Sequence, residues 1–426
     1  MKFHIVTLGC KVNAYESEII TEKFIQNNFT LTPVMQEADI VIINTCSVTN
    51  VADNKSKKII RKVRRENPHS VLVVCGCMSQ NHGQALESLD IDILIGNKDK
   101  SKIVNFVQDY LTQKQKQTIF YDMQQVEFED MQIDHFSHTR AYIKIQDGCD
   151  NYCSYCIIPY LRGKKRCKDF ATCINEAKIL STKHQEIVLT GIHTGSYYND
   201  NHDLTDLILQ LAQIDNLKRI RISSIEALEI TPKFLDMLKN TPKVCDHLHI
   251  PLQSGSNQIL KLMNRRYNKE TFLNIINNIR KIRPDISITT DLIVGFPQET
   301  EELFQETYEF LKLVNFSKIH VFPFSLRNKT KAEELPEHID NKIKKIRCKK
   351  IIELSNQQQL AYYQRFVGQK LFVLIEKNDE KYSYGHTSNY LPLKIDSIIP
   401  VNTFCEVLLT EACQDYVYAT IKKVAK

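Results

Sequence analysis

The sequence predicts an α/β protein in three parts: an N-terminal α/β sheet unit, a partial (β/α)6 barrel and a small C-terminal all-β barrel. Three observations carry that reading. The chain has 426 residues, more than one hydrophobic core ordinarily serves. Short apolar runs alternate with helical patterns as far as Phe322. After Gly368 the helical pattern stops, and short strands follow at hairpin spacing. The expected units are residues 1–135, 136–365 and 366–426.

In the first unit, Phe3–Leu8, Asp39–Asn44 and Val71–Cys75 read as strands, with helices Glu16–Asn28 and Asp53–Asn67 between them. Cys10, Cys46 and Cys77 each follow the C-terminal end of a strand, the edge at which open α/β sheets bind ligands. A Gln-rich connector covers 112–135, with Thr118–Tyr121 as an added edge strand. The barrel strands are Ala141–Gln146, Glu186–Thr190, Lys218–Ile222, His247–Ile250, Ser287–Asp291 and Ile319–Phe322. Between them lie helices Phe170–Thr182, Asp203–Ile214, Thr231–Lys239, Lys269–Ile282 and Glu301–Leu313. Ile339–Arg365 reads as a long basic helix linking to strands Leu371–Ile375, Leu391–Ile395, Cys405–Leu409 and Tyr416–Ile421.

Composition narrows the class. A chain 42% hydrophobic and 25% charged is not disordered along its length. No apolar run approaches the roughly 18 residues of a membrane span, and Met1–Cys10 lacks the pattern of a signal peptide. A cytoplasmic protein without a membrane partner is therefore expected. The net charge of +6 is a mild bias toward polyanions. Thirteen cysteines in such a chain favour metal or cluster ligation over disulfides. Only 12 glycines occur, yet Gly9, Gly76 and Gly148 each precede a cysteine, where a residue without Cβ lets the chain turn around a bulky centre.

Cys149-Asp-Asn-Tyr-Cys153-Ser-Tyr-Cys156 is the sharpest signal. Three thiolates in one loop suit three irons of a [4Fe–4S] cube, leaving the fourth open to a cofactor; a structural zinc site is the alternative. The triad follows the first barrel strand, where such a fold places its chemistry. In spacing and position, with Tyr155 as the aromatic before the last cysteine, it resembles the radical S-adenosylmethionine superfamily. The resemblance implies that the open iron chelates S-adenosylmethionine. One electron then cleaves it to a radical that abstracts hydrogen from an unactivated carbon.

Three N-terminal motifs narrow the resemblance: Thr7-Leu-Gly-Cys10-Lys-Val-Asn13, Asn44-Thr-Cys46-Ser-Val-Thr49 and Gly76-Cys77-Met-Ser-Gln80. With Tyr142–Arg162, Leu189–His193, Arg221–Glu226, His249–Gly255 and Asp291–Pro297, they are similar to the methylthiotransferases over essentially the whole chain. That family carries a second [4Fe–4S] cluster, here implied on Cys10, Cys46 and Cys77, and its C-terminal barrel is a TRAM RNA-binding domain. Cys75 competes with Cys77, because strand alternation puts both on one nominal face; the family pattern favours Cys77. The other cysteines read as buried small hydrophobes.

The residues after the first cysteine separate branches. The isopentenyladenosine branch tends to read Gly-Cys-Gln-Met-Asn, and the branch acting on a ribosomal protein aspartate Gly-Cys-Pro-Lys-Asn. Gly9-Cys10-Lys11-Val12-Asn13 is similar to the threonylcarbamoyladenosine branch. The implied reaction is 2-methylthiolation of N6-threonylcarbamoyladenosine 37 in the tRNA anticodon stem-loop, with an unidentified electron donor and sulfur source. Alternatives are the other two substrates, or a non-catalytic iron–sulfur RNA-binding or redox-sensing protein.

Seven basic residues from Lys55 to Arg65 give one helix a phosphate-binding or merely solvated face, and Lys342–Lys350 repeats the ambiguity. Tyr382, Tyr384, Tyr390 and His386 are candidates to stack on bases, or to fill the barrel core. Thr190, Gly191, Ser223, Glu226, Gln253 and Asp291 fall near barrel strand ends and join Tyr155 as candidate cofactor contacts; helix capping is the competing use. Arg162, Lys165 and Arg166 meet either a carboxylate or solvent.

Overall fold

The computed structural model describes residues 1–424. Its first sheet is wholly parallel and contains β1 (Lys2–Thr7), β2 (Thr30–Leu31), β3 (Ile40–Thr45), β4 (Val71–Gly76), β5 (Ile93–Ile95) and β6 (Gln117–Ile119), in the order β2-β1-β3-β4-β5-β6. β3 and β4 are buried at every residue, as continuous Ile/Val runs require when helices cover both faces. Helices α1 (Lys11–Gln26) and α4 (Ile103–Gln113) cover one face through Ile20, Phe24 and Val107. Helices α2 (Asn50–Glu66) and α3 (Cys77–Leu86) cover the other through Ile60, Val63 and Met78.

Sequence patterning places β1, β3, β4, β6 and α2 to within a few residues, and α1 is an instructive exception. Helix α1 begins at Lys11, directly after Cys10, five residues before the expected start at Glu16. Its first turn buries Asn13 and Tyr15 against neighbouring units, so apolar periodicity is weak there. The short strands β2 and β5 and helices α3 and α4 also escaped the pattern.

Two-residue hairpin strands aside, the second unit is built on β7 (Arg140–Lys144), β8 (Glu186–Thr190), β9 (Arg219–Ile222), β10 (His247–His249), β11 (Ser287–Val294) and β12 (Lys318–Pro323). They form two parallel three-stranded sheets, joined by an Ile220–Val244 bridge, in sequence order. The result is the expected open, partial barrel, with helices outside and a core that reaches Leu354 and takes in Tyr15 and Ile19 of α1. The helix Asn341–Gln364 packs on β12 and leads into a closed barrel. That barrel consists of Lys370–Asn378, Ser383–Thr387, Pro392–Ile395, Phe404–Ala412 and Val417–Val424 around Val373, Leu393, Val407 and Leu409. No helix among the described residues is long and apolar enough to cross a membrane.

A buried ionic cluster ties the first two units together. Glu16, fully buried on α1, meets Arg162 at 3.0 Å, Lys144 at 2.8 Å and Lys100. Asp147 completes it with Arg162 at 3.0 Å and Lys144 at 2.7 Å. Burial raises the Glu16 carboxyl, but Arg162, Lys100 and Lys144 outweigh it and hold the group well below its ordinary range. Arg162 is therefore neither a surface residue nor a cofactor contact, as its proximity to the triad had suggested; it is a completely enclosed tie.

Candidate active site

The N-terminal triad is assembled by register. Parallel pairing aligns the C-terminal ends of β1, β3 and β4, so Cys10, Cys46 and Cys77 emerge from one edge despite their sequence separation. Two glycines permit the convergence. Gly9 has φ +100°, and a Cβ there would stand 2.9 Å from the Cys46 Sγ. Gly76 has φ +101°, and a Cβ would stand 2.5 Å from the Thr45 carbonyl. Asn13 donates to the Leu8 and Thr45 carbonyls at 2.7 and 2.9 Å, stitching the first two cysteine turns together.

The left-handed Gly76 also separates Cys75 from Cys77. Cys75 ends its strand in the apolar face beneath α1, completely buried, and burial pushes its thiol up to about 12. Cys77 lies beyond the turn, packed against Ile157 and Leu161. The strand-alternation argument fails here because the strand stops at Gly76. Asn97 sits 3.6 Å from the Cys77 Sγ while donating to the Leu161 carbonyl at 2.9 Å. Burial, followed by the neighbouring Cys77 and Cys10, pushes the Cys46 thiol up to about 11.

The second triad is one loop after β7. Gly148, at φ +72°, turns the chain where a Cβ would strike the Lys164 carbonyl. Asn264 donates to the Tyr152 carbonyl at 3.1 Å, and the Ser154 N–H donates to Met263 at 3.1 Å. Burial and the Cys153 thiol push Cys156 up to about 12. Arg265 donates to the Cys153 Sγ at 3.4 Å and is held by Glu226 and, at 3.0 Å, by the Tyr267 hydroxyl. His193 lies 3.8 Å from the Cys149 Sγ and 2.5 Å from Glu229. Neither Arg265 nor His193 carries a periodic signal, and both come from loops; His193 ends the Leu189–His193 motif, whereas Arg265 is revealed only by its proximity to the thiols.

The expected cofactor contacts divide. Tyr155, Gln253 and Asp291 line a 220 Å³ pocket together with Cys156, and Val48 and Thr49 of the N-terminal unit close it. Glu226 lines a separate 120 Å³ pocket with Cys153 and Arg265. Ser223 faces the barrel lumen. Thr190 is sealed within its strand, and Gly191 packs on Gln146, so neither reaches these spaces.

Convergent thiols, a nearby guanidinium and an adjoining pocket fit an iron–sulfur cube with one open iron. Among the described residues no group of three His, Cys, Asp or Glu stands at the spacing of a single metal ion. Thiolates of a cube bind different irons and need wider spacing than the zinc alternative.

The basic runs are split by packing. Lys55, Lys58, Arg61, Lys62 and Arg65 are exposed on α2, whereas Arg64 binds Asp92 at 2.5 Å. In the second run Arg347 is buried against Glu299 at 2.7 Å. Tyr382, Tyr416 and Tyr418 surround the Lys394 ammonium, at 4.0, 5.1 and 5.4 Å from their ring centres. Tyr390 instead stacks between His247 and His386, at the base of the barrel lumen, and is not a free platform.

Comparison with known proteins matches residues 143–311 to the radical SAM superfamily and 2–96 to the family described as "Uncharacterized protein family UPF0004". The chain is 39% identical over 401 residues to the threonylcarbamoyladenosine tRNA methylthiotransferase MtaB of Bacillus subtilis (strain 168), covering 91% of this chain and 88% of that protein. The protein of the same name from Aquifex aeolicus (strain VF5) is 35% identical over 416 residues, with 96% and 100% covered. A tRNA-2-methylthio-N(6)-dimethylallyladenosine synthase of Clostridium novyi (strain NT) is 32% identical over 400 residues, with 91% and 88% covered. Among solved structures, the cobalamin-dependent S-adenosylmethionine radical enzyme OxsB shares the fold at a TM-score of 0.52 and 13% identity, over 78% of this chain and 54% of that one.

Proposed function

We propose one reaction for this chain, which belongs to the radical S-adenosylmethionine methylthiotransferase family: 2-methylthiolation of N6-threonylcarbamoyladenosine 37 in tRNA. Membership implies S-adenosylmethionine and an iron–sulfur cluster; a second cluster, on Cys10, Cys46 and Cys77, is part of the proposal. When bound, these groups supply removal of hydrogen from adenine C2 and the sulfur and methyl that replace it. Cys149, Cys153 and Cys156 would hold the first cluster. Arg265, fixed by Glu226 and Tyr267, offsets charge at Cys153. Tyr155, Gln253 and Asp291 bound the space for S-adenosylmethionine, and Thr49 helps to close it from water.

The observation that carries this reading is the contact between the triads. Cys77 packs on Ile157 and Leu161, in the segment just after Cys156, while Val48 and Thr49, just after Cys46, close the pocket at Cys156. A radical made at one triad and a sulfur held at the other would meet without diffusing through solvent. The exposed basic face of α2 and the Tyr382–Tyr416–Tyr418–Lys394 group supply phosphate and stacking contacts suited to an anticodon stem-loop.

The dimethylallyl substrate is the second reading, favoured by the 32% identity to the Clostridium novyi protein. Nucleosides from tRNA of a strain lacking the gene, with and without its restoration, separate the two by mass. Loss and return of the methylthio-threonylcarbamoyl nucleoside is expected. Loss of the methylthio-isopentenyl nucleoside instead would overturn the substrate assignment. If the reduced protein forms no 5′-deoxyadenosine from S-adenosylmethionine, the enzymatic reading itself fails.

A further inference from the structure

The partial barrel encloses a 370 Å³ cavity whose lining is electrostatically one-sided. Four cations, Lys11, Arg140, Arg221 and Lys318, and four histidines face it, and among the described residues no carboxylate does. Its size falls in the range of small-ligand pockets. Arg221 and Arg140 are compensated from behind the lining, by Glu186 at 2.6 Å and Glu376 at 3.2 Å. Lys318 donates to the neutral Gln359 oxygen at 2.5 Å. Lys11 is an exposed residue at this cavity, and its ammonium has no hydrogen bond or ion pair among the described residues. Deeper in, His247 is 8% exposed, and its Nδ1 has no partner among the described residues, although its Nε2 meets the Thr289 hydroxyl at 3.1 Å.

A buried polar atom without a partner and an excess of cations together ask for a ligand that brings oxygen atoms and negative charge. We infer that this cavity receives the anionic end of the substrate's N6 substituent and that Lys11 reads its carboxylate. The inference rests on the proposed substrate. A threonylcarbamoyl group ends in a carboxylate and a hydroxyl, whereas a dimethylallyl group has neither. Lys11 directly follows Cys10, so the turn that presents one centre also presents the cation. It is the one lining residue that comes from the N-terminal unit, among the described residues. Discrimination then works both ways. A carboxylate gains a charge-assisted hydrogen bond, and an apolar group that covers the ammonium displaces its water without compensation.

The test uses reconstituted protein and three synthetic anticodon stem-loops: one with threonylcarbamoyladenosine at position 37, one with its carboxylate as the methyl ester, and one with plain adenosine. Equilibrium binding is measured for wild type, Lys11→Gln and Lys11→Arg, each with a melting curve that matches wild type. Wild type is expected to bind the free carboxylate at least about tenfold more tightly than the ester, a ratio that falls to about one in Lys11→Gln and survives largely in Lys11→Arg. Retention of the preference in Lys11→Gln overturns the inference. So does weakened S-adenosylmethionine binding with the preference intact, which would assign Lys11 to the cofactor's carboxylate. Equal binding of the threonylcarbamoyl and plain loops by wild type would instead remove the substrate reading beneath it.

Discussion

The two cysteine triads are built by opposite means. Cys149, Cys153 and Cys156 lie in one loop, held by local turns and by Asn264 and Ser154. Cys10, Cys46 and Cys77 are contributed by three strands, and only parallel register brings them together. A guanidinium follows each design, but in different roles. Arg265 serves the loop from within its own unit. Arg162 follows the loop triad in sequence, yet its guanidinium is held by Asn13 and Glu16 of the N-terminal unit. The segment that follows Cys10 is thus anchored by the barrel, through the contact between units.

Single cysteine replacements should break the comparison most sharply. Cys153→Ala is expected to abolish 5′-deoxyadenosine formation. Cys46→Ala should retain some of it while losing all methylthio product. Anaerobic reconstitution with iron analysis should show about half the wild-type iron in each, if each triad holds one cube. Full iron in Cys46→Ala would remove the second cluster from the N-terminal unit.

Next in size is the ionic tie. Glu16→Gln leaves Arg162, Lys100 and Lys144 short of a counter-charge and should cost about 3–5 kcal/mol in denaturant unfolding. The sign of its pH dependence follows from its lowered folded-state value. The carboxylate contributes stability above its unfolded value of about 4.3, and the contribution is lost as pH falls through the folded value. Wild type should therefore lose stability on acidification more steeply than Glu16→Gln. Parallel curves would show that Glu16 is not an ionised anchor.

Gly9→Ala sharpens the role of register. It adds a Cβ 2.7 Å from the Cys46 Cβ at φ +100°, and a loss of about 1–3 kcal/mol is expected, together with loss of iron from the N-terminal triad. Gly368, at φ +85° with nothing within 4 Å of an added Cβ, provides the control for conformational strain alone. Iron loss in Gly9→Ala but not in Gly368→Ala would isolate the close approach to Cys46. The smallest effect belongs to Thr49, whose side chain accepts from the Ala52 N–H and caps α2. Thr49→Ala should cost about 1 kcal/mol by thermal unfolding.

Sequence alone determined the parts whose physics is local or periodic. Alternation placed the longer strands of the first two units and most helices, since burial on one face repeats at fixed spacing, but missed β2, β5 and Ser383–Thr387. The three-cysteine loop was legible because its ligands are neighbours in sequence. Glycines before cysteines pointed to turns, and Gly9, Gly76 and Gly148 all prove to have positive φ. Tertiary structure decided what depends on contacts between distant segments. It put Cys75 in the core and Cys77 at the edge, since Gly76 ends the alternation from which their shared face was argued. It enclosed Arg162, whose charge would ordinarily read as surface, because Glu16 and Asp147 reach it from two different units. It turned Tyr390 into the floor of the lumen and brought His193 and Arg265 to the thiols from loops. Such contacts follow no sequence period, and the packing of separate elements alone brings them about.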